Sequence, residues 1–391
     1  MTDRGTVEAV VSRQEPSTLM SAAEEVAALA GGYADAADET RRLEPDVVKA
    51  VLAAGFARHF VPAAYGGSAG TFGDLTRALA TVGAECAATS WSASIVAGVG
   101  RMAGYLPAEG CAEVWQDGPD TVVVGSLAPL GRAKSVPGGF RLTGTWPSIS
   151  VVDFSDWALV RAVFATGEHR APRVFVIPRA AYTVRDTWTN IGMRATGSHT
   201  LVVDDVFVPE ARTFDGGDLF EGRPQHSTEA CHALPLPAAN GLSFAPPTLG
   251  AARGALAHWT DYATAKFRSA PEAAGGPGLT RGHYAAALAR SAGEIDAAQL
   301  LIERASEVAD RGAEITPLEV VRNGRDCSLA VELLVTAVNR VFGAAGTSGH
   351  SVTSPLQRYW RDVNAASTHV GLQFEPAAHA YMTRVACAAT A

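Results

Sequence analysis

The sequence has 391 residues, of which 47% are hydrophobic and 18% charged, and its formal net charge is −8 at pH 7. This balance is typical of a globular protein with a substantial core and excludes a disordered or fibrous chain. Because no long run of Lys or Arg provides a concentrated basic surface, we expect no nucleic-acid partner and no anionic membrane partner.

The cysteines and histidines indicate neither cross-links nor metal binding. Five cysteines are scattered without CxxC spacing, and ten histidines follow no metal-ligand spacing. We therefore predict no disulfide framework and no metal site. The sequence shows neither an apolar run of about 20 residues nor a secretory signal, so we predict a soluble, cytoplasmic protein.

The first part of the chain has the periodicity of α-helices. In PSTLMSAAEEVAALAGGYADAADETRR, apolar residues recur three and four positions apart, with Ser17 or Thr18 as a cap. Pro45 then lies where a second helix begins. AATSWSASIVAGVGRMAGYL is apolar enough for a buried helix. We predict an N-terminal helical domain over residues 1–115.

The middle of the chain has the pattern of β-strands. Short apolar runs such as TVVVGSLAP, PRVFVIP and HTLVVDDVFVP alternate with turn residues. Pro137-Gly138-Gly139 predicts a hairpin turn. We therefore predict a compact, antiparallel β domain over residues 116–225.

Long alanine-rich helical stretches follow, including GHYAAALARSAGEIDAAQLLIERASEVADR and PLEVVRNGRDCSLAVELLVTAVNRVF. They predict a C-terminal helical bundle over residues 226–391. The fold class is therefore α+β, with the unusual order of helices, strands and helices.

Four motifs in this order resemble the acyl-CoA dehydrogenase superfamily. They are AAGFARHFVPAAYGG, GSLAPLGRAKSVPGGFRLTGTWPSIS, WTNIGMRATGSHTLVVDDVFVPE and PLQRYWRD. The third is similar to the superfamily segment GMR-x-(T/S)-x-S followed by V-x-D-V-x-VP. The resemblance implies an N-terminal helical domain, a central β domain and a C-terminal four-helix bundle. It also implies a homotetramer, with the alanine-rich helices after Gly282 supplying the interface because small residues allow close helix approach.

The sequence departs from the superfamily at the catalytic base. A dehydrogenase needs a carboxylate to remove the α-proton of its thioester substrate. Aligned through PLQRYWRD, that glutamate falls at Val370, and Glu375 lies too far along to share its helical face. An alternative base position, within 231–260, has no Asp or Glu either. An acyl-CoA dehydrogenase is therefore the less favoured interpretation.

The chain most resembles the flavin-dependent monooxygenase branch of the superfamily (two-component, group D). These enzymes take reduced flavin, FMN or FAD, from a separate reductase and react it with O₂ to form a flavin C4a-hydroperoxide. The resemblance makes His369 a candidate hydrogen-bond donor to this intermediate, placed on the last active-site helix. The alternative is a histidine with an ordinary structural role.

The resemblance also implies the residues that contact the flavin. Trp146 corresponds to a tryptophan beside the isoalloxazine ring, and Ser150, more closely than Ser148, to a serine that bonds flavin N5. Ser126 lies in a loop that brings polar groups to the flavin. For Ser150 an ordinary strand-end serine is an equal alternative.

The arginines of the last motif have two interpretations. Arg358 and Arg361 are candidates for binding the flavin phosphate, but structural ion pairs are at least as well supported. The acidic and GSD elements of the dehydrogenases are absent here, so the sequence leaves open whether the flavin is FMN or FAD.

The substrate is expected to be a small molecule. Aromatic hydroxylases of the branch carry a phenol-binding histidine about ten residues into the helix that begins CAATSW, near Val96, and this sequence has none there. An amine can attack without such a base. We therefore favour N-oxygenation of a nucleotide-linked amino sugar, as in the nitrososynthases of antibiotic pathways. The alternatives are an aromatic or polyketide hydroxylase and, less favoured, a non-catalytic binding protein.

Overall fold

The computed structural model describes residues 18–166, 169–272 and 279–388. Helices come first, a sheet follows, and helices return. The described helices are α1 Thr18–Thr40, α2 Pro45–Ala53, α3 Phe72–Glu85, α4 Ala87–Ala103, α5 Ala108–Val114, α6 Gly216–Glu221, α7 Leu236–Ala239, α8 Ala245–Ser269, α9 Arg281–Ala309, α10 Pro317–Ala344, α11 Gly346–Gly349, α12 Pro355–Ser367 and α13 Phe374–Ala388.

The predicted helix starts can be compared with the structure at two places. Thr18, predicted as a possible cap, is the first described residue of α1 itself, and Ser17, the other candidate cap, lies outside the described residues. Pro45 is the first residue of α2, where its fixed φ suits the helix and its missing N–H has no intrahelical acceptor to lose.

The strands form one seven-stranded sheet in the order β5-β6-β2-β1-β3-β4-β7. They are β1 Val123–Val136, β2 Gly139–Ile149, β3 Trp157–Thr166, β4 His169–Pro178, β5 Thr183–Arg185, β6 His199–Pro209 and β7 Thr213–Asp215. The predicted turn joins β1 to β2, since Val136 pairs with Gly139 and Gly138 has a φ of 81°.

The prediction of a purely antiparallel domain is wrong at one pair of strands. β1 and β3 run parallel, whereas the other described pairings are antiparallel. After β2, the chain passes through a 3₁₀ turn at Val152–Phe154 and enters the sheet on the other side of β1. The alternation of residues along a strand shows which side chains share a face of the sheet, but not which strands are neighbours. It therefore could not predict the parallel pairing of β1 with β3.

The C-terminal helices pack as a bundle of α8, α9, α10 and α12, and α13 lies against α10. Helix α3 of the first part packs closely on α8, so one hydrophobic cluster joins both helical parts. Its members include Leu79 on α3, Trp259 on α8 and Leu334 on α10, each fully buried.

Helix α10 is longer and more apolar than the sequence analysis recognised. By length and composition alone Pro317–Ala344 is the one helix in the described part of the chain that could cross a membrane. It lies among α8, α9, α12 and α13, and residues such as Val331, Leu334 and Val338 are in the core. Its apolar composition is therefore explained by packing inside the bundle.

Candidate active site

The candidate site, here called the cleft, is the place where side chains of helix α4, the start of α8, the segment after α12 and the end of β2 meet. Trp91 of α4, Phe244 before α8 and His369 after α12 contact one another as rings. The centroids of Phe244 and His369 are 3.8 Å apart, and those of Trp91 lie 5.0 Å from Phe244 and 5.6 Å from His369. The Trp91 indole N–H donates to Ser150 Oγ at 3.2 Å. Three aromatic rings are therefore in mutual contact, and the Ser150 hydroxyl is hydrogen-bonded to one of them.

His369 lies just beyond the helix on which it was predicted. Helix α12 ends at Ser367, and His369 has an extended backbone and begins a 3₁₀ turn at Val370–Leu372. Its Nδ1 accepts a hydrogen bond from the Gly371 backbone N–H at 3.1 Å. Because Nδ1 accepts, the neutral ring carries its proton on Nε2.

The electrostatic state of His369 follows from its surroundings. Burial lowers the pKa of His369 from its ordinary value near 6.5 to about 4, so the imidazole is neutral at pH 7. No hydrogen-bond acceptor for Nε2 is found among the described residues. The ring therefore offers an unused N–H donor at the cleft.

The segment after β2 holds Ser150 in an unusual backbone. Ser148 and Val151, on either side of Ser150, have φ values of 61° and 64°, and Met193 opposite has 52°. Left-handed φ is costly for a β-branched residue such as Val151, and residues held in this way concentrate at functional sites. Ser148 is exposed at a bulge between Trp146 and Ile149, whereas Ser150 is buried.

Ser150 begins a buried series of hydroxyl groups. Its Oγ lies 2.8 Å from Ser198 Oγ, which in turn lies 2.7 Å from Thr196 Oγ1. Thr196 donates to the Met193 carbonyl at 2.8 Å. Ser126 stands apart from this series, half-buried on β1, and its hydroxyl accepts from the Ala128 N–H at 3.3 Å.

Trp146 lies in the core of the sheet domain, not at the cleft. Its side chain is fully buried, and its indole N–H donates to the Arg161 carbonyl at 3.0 Å. A Cβ on either Gly131 or Gly144 would come within 2.4 Å of its ring, so these glycines make room for it. In this structure the indole packs inside the sheet domain, and its contact with the flavin ring stays a prediction.

The two arginines bind acidic groups of α1. Arg361 donates to both carboxylate oxygens of Asp38, at 2.7 and 3.2 Å, and contacts the Ile191 carbonyl. Arg358 Nε lies 3.2 Å from Asp35 Oδ1. In this chain both side chains connect α12 to α1, which favours the structural interpretation, and the phosphate-binding role stays a prediction.

The partners of Ser150 and His369 could not be predicted from the sequence. Trp91 lies in the helix that begins CAATSW and Phe244 lies within 231–260, but their contact depends on the packing of α4 against the start of α8. Thr196 and Ser198, however, are the hydroxyl positions of the segment GMRATGS, so a signal for them was present.

No carboxylate contacts Trp91, Phe244, Ser150 or His369 within the described residues. Val370, where the dehydrogenase glutamate would align, is 79% exposed. The cleft thus lacks the base that dehydrogenation requires.

The residues of the cleft fit a flavin ring. An isoalloxazine is a flat apolar system with hydrogen-bonding edges, and the cleft supplies aromatic walls, the Ser150 oxygen and the unpaired His369 Nε2–H. Ser150 would meet the polar edge of the ring from the sheet side and His369 from the helical side. This arrangement of helices, sheet and bundle around such a cleft defines an acyl-CoA dehydrogenase-like flavoprotein.

Comparisons with known proteins agree with this class. The family model for the C-terminal domain of acyl-CoA dehydrogenases matches residues 242–374. The chain is 29% identical over 367 residues to the oxygenase component of the FADH(2)-dependent resorcinol hydroxylase of Rhizobium sp., covering 86% of each chain. It is 32% identical over 348 residues to the oxygenase subunit HsaA of Mycobacterium tuberculosis, a flavin-dependent monooxygenase, covering 86% of this chain and 87% of HsaA.

Solved structures give the same result. The crystal structure of HsaA from M. tuberculosis matches with a TM-score of 0.87 at 27% identity, over 95% of this chain and 98% of HsaA. XiaF from Streptomyces sp., solved with FADH2 and glycerol, matches with a TM-score of 0.78 at 30% identity, over 94% and 96% of the two chains. The chain belongs to the flavin-dependent monooxygenases with an acyl-CoA dehydrogenase fold. Its cofactor is reduced flavin, used with O₂.

Proposed function

We propose that the protein hydroxylates a small aromatic substrate of the phenol class, using reduced flavin and O₂. The observation that carries this proposal is the aromatic cluster of Trp91, Phe244 and His369 beside Ser150. Flat aromatic walls favour a flat aromatic substrate, since rings gain from edge-to-face and offset contacts.

The residues of the cleft have distinct roles in such a reaction. After reaction with O₂, the bound flavin supplies an electrophilic oxygen atom. Trp91 and Phe244 exclude water and orient the aromatic ring, because their buried faces leave little room for solvent. His369 holds its proton on Nε2 and donates it in a hydrogen bond to an oxygen in the cleft.

The prediction of amino-sugar N-oxygenation rested on the absence of a histidine near Val96, a residue whose side chain does not contact the cleft. Val96 is 3% exposed and packs into the core of the sheet domain, so the missing histidine there says little about the cleft. The similarity to the resorcinol hydroxylase component supports an aromatic substrate instead. N-oxygenation has no support among the relatives described above.

We further propose that a separate reductase supplies the flavin in reduced form. The similarity to an oxygenase component and an oxygenase subunit supports this, because both names imply a second component. The choice between FMN and FAD stays open, since Arg358 and Arg361 are engaged with α1.

The experiment that tests the substrate class is a single-turnover product analysis. The protein is loaded with reduced FMN or FAD and mixed with isotopically labelled O₂ and one substrate from a panel of phenols and nucleotide-linked amino sugars. We expect label in a hydroxylated phenol and none in the amine. Label in the amine alone would replace the proposal with N-oxygenation.

A further inference from the structure

The hydroxyl groups of Ser150, Ser198 and Thr196, here called the hydroxyl chain, have a direction fixed at both ends. At one end the Trp91 Nε1–H can only donate, so Ser150 Oγ accepts. At the other end the Met193 carbonyl can only accept, so Thr196 uses its single hydrogen there.

The donor and the acceptor of each hydrogen bond in the middle of the hydroxyl chain follow from the directions at its two ends. Because the Thr196 hydrogen is committed, the 2.7 Å contact requires Ser198 to donate to Thr196. The Ser198 hydrogen is then committed too, so the 2.8 Å contact requires Ser150 to donate to Ser198. Each hydroxyl has one hydrogen, and no other assignment satisfies all four hydrogen bonds.

Ser150 is left with one free lone pair and no free hydrogen. Its hydroxyl donates to Ser198 Oγ and accepts from the Trp91 indole N–H, and Ser150 is 8% exposed. Toward a ligand in the cleft, Ser150 Oγ can therefore only accept a hydrogen bond. A donor facing it is favoured, and a second acceptor is repelled.

Reduced and oxidised flavin differ in whether N5 can donate a hydrogen bond to Ser150 Oγ. The reduced ring carries a hydrogen on N5, and the oxidised ring has a lone pair at the same atom. We propose that the hydroxyl chain selects the reduced flavin by holding Ser150 as a fixed acceptor for the N5 hydrogen. This inference rests on the proposed function in one respect, that the flavin binds in this cleft. Thr196 and Ser198 act through Ser150 and are positioning residues.

The test reverses the direction of the chain. In Thr196→Val, Ser198 keeps only Ser150 as an acceptor, so Ser150 is freed to donate to the cleft. The Met193 carbonyl still accepts from Trp188 Nε1 at 3.0 Å, so no buried group is orphaned. Ser198→Ala frees the Ser150 hydrogen by a second route.

The matched control is Thr200→Val. Thr200 lies close to Ser198 in sequence, is similarly buried, and pairs with Thr187 at 2.8 Å, outside the hydroxyl chain. It repeats the same change of side chain in the same part of the fold.

The measurements are the dissociation constants of oxidised and reduced flavin, determined anaerobically, and the midpoint potential of the bound flavin. We expect the wild-type protein to bind the reduced form more tightly. In Thr196→Val and Ser198→Ala the ratio of the oxidised to the reduced constant falls about tenfold. The potential then moves down, toward that of free flavin.

The outcomes separate the inference from the proposed function. If the wild-type protein binds reduced flavin but both variants change the ratio no more than Thr200→Val does, the inference is overturned and the proposed function stands. If the ratio shifts as expected but no phenol is hydroxylated, the inference is supported and only the proposed substrate class fails. If neither flavin binds, both fail.

Discussion

The behaviour of His369 follows from two contacts. The Gly371 N–H fixes its Nδ1 as an acceptor, and burial lowers its pKa to about 4. A neutral donor of this kind is useful only if its ring cannot turn, and the Phe244 ring at 3.8 Å restrains it. Gly371 leaves room for the Phe244 ring, since a Cβ there would lie 3.1 Å from Phe244 Cε2.

We predict that His369→Ala keeps reduced-flavin binding within about threefold but lowers the yield of hydroxylated product by about tenfold or more, because a donor in the cleft is lost. The readout is product and hydrogen peroxide per reduced flavin. The matched control is His350→Ala, which removes a ring that contacts Phe342 outside the cleft. Unchanged product yield in His369→Ala would remove this residue from the mechanism.

A second buried histidine, His232, provides a prediction about stability. Burial, with a contribution from Arg101, lowers the pKa of His232 to about 4, and its side chain is fully buried. The folded protein keeps this ring neutral, while the unfolded chain binds a proton below about pH 6.5. Its contribution to stability is therefore present above pH 6.5 and is lost as the pH falls toward 4.

We predict that between pH 7 and pH 4.5 the unfolding free energy of the wild type falls by about 2–3 kcal/mol more than that of His232→Gln. Chemical denaturation at the two pH values measures this difference. His379→Gln, at an exposed position on α13, should match the wild type. Equal falls in wild type and His232→Gln would show that the ring is not held neutral.

At this scale the sequence predicted two residues that share a neighbour in the structure. His369, which follows the motif PLQRYWRD, and Ser150, which ends the motif LTGTWPSIS, both contact Trp91. The position of Trp146 in the core of the sheet domain could not be predicted, because a pattern shows that a tryptophan is present but not what surrounds it. Trp91 and Phe244 needed the packing of separate helices, which no local pattern contains.

At the scale of elements, ion pairs connect α12 to α1. Arg361 bonds both oxygens of Asp38, and the buried Asp362 accepts from the Met193 N–H at 2.6 Å. Burial raises the pKa of Asp362 to about 6, with Arg358 and Arg361 nearby opposing the rise. The helix therefore positions the Met193 turn, and with it the end of the hydroxyl chain.

We predict that Arg361→Met lowers the unfolding free energy by about 1–3 kcal/mol, because it leaves Asp38 without its partner. Reduced-flavin affinity should stay within about twofold of wild type. Urea denaturation and anaerobic titration give the two quantities. Arg77→Met, which breaks an exposed pair with Asp74, serves as the control and should change stability by about 0.5 kcal/mol or less. Much weaker flavin binding at unchanged stability would restore the phosphate-binding role.

The elements themselves were predicted unevenly. Helices α1, α2, α9 and α10 follow apolar periodicity or terminal signals that act within one helix. The parallel pairing of β1 with β3 joins strands separated by β2, so no property of either strand alone specifies it. Local signals therefore predicted element types, while topology depended on contacts between distant segments.

At the scale of the whole molecule, the bundle exposes apolar residues. Helix α13 has no buried residue within its described length, and Met382 on it is 65% exposed. Leu300 on α9 is 67% exposed and Leu318 on α10 is 41% exposed. We propose that other copies of the chain cover these residues in a homotetramer.

Light scattering of the purified protein should give the mass of four chains. We predict that Leu300→Glu and Met382→Glu lower this mass, because burying an unpaired carboxylate is costly. Val352→Glu changes an apolar residue that is 87% exposed and lies outside the bundle helices, and this variant should leave the mass unchanged. A wild-type monomer would contradict the proposed assembly.

We propose, at the scale of the reaction, that this cleft directs oxygen from reduced flavin to a phenol. The most direct test is rapid mixing of O₂ with the anaerobic protein loaded with reduced flavin, followed by absorbance with and without resorcinol. We predict a long-lived transient absorbance before the oxidised flavin spectrum returns, a lifetime shortened by resorcinol or another phenol, and a hydroxylated product in proportion. Immediate reoxidation, with all the oxygen recovered as hydrogen peroxide for every phenol, would contradict it.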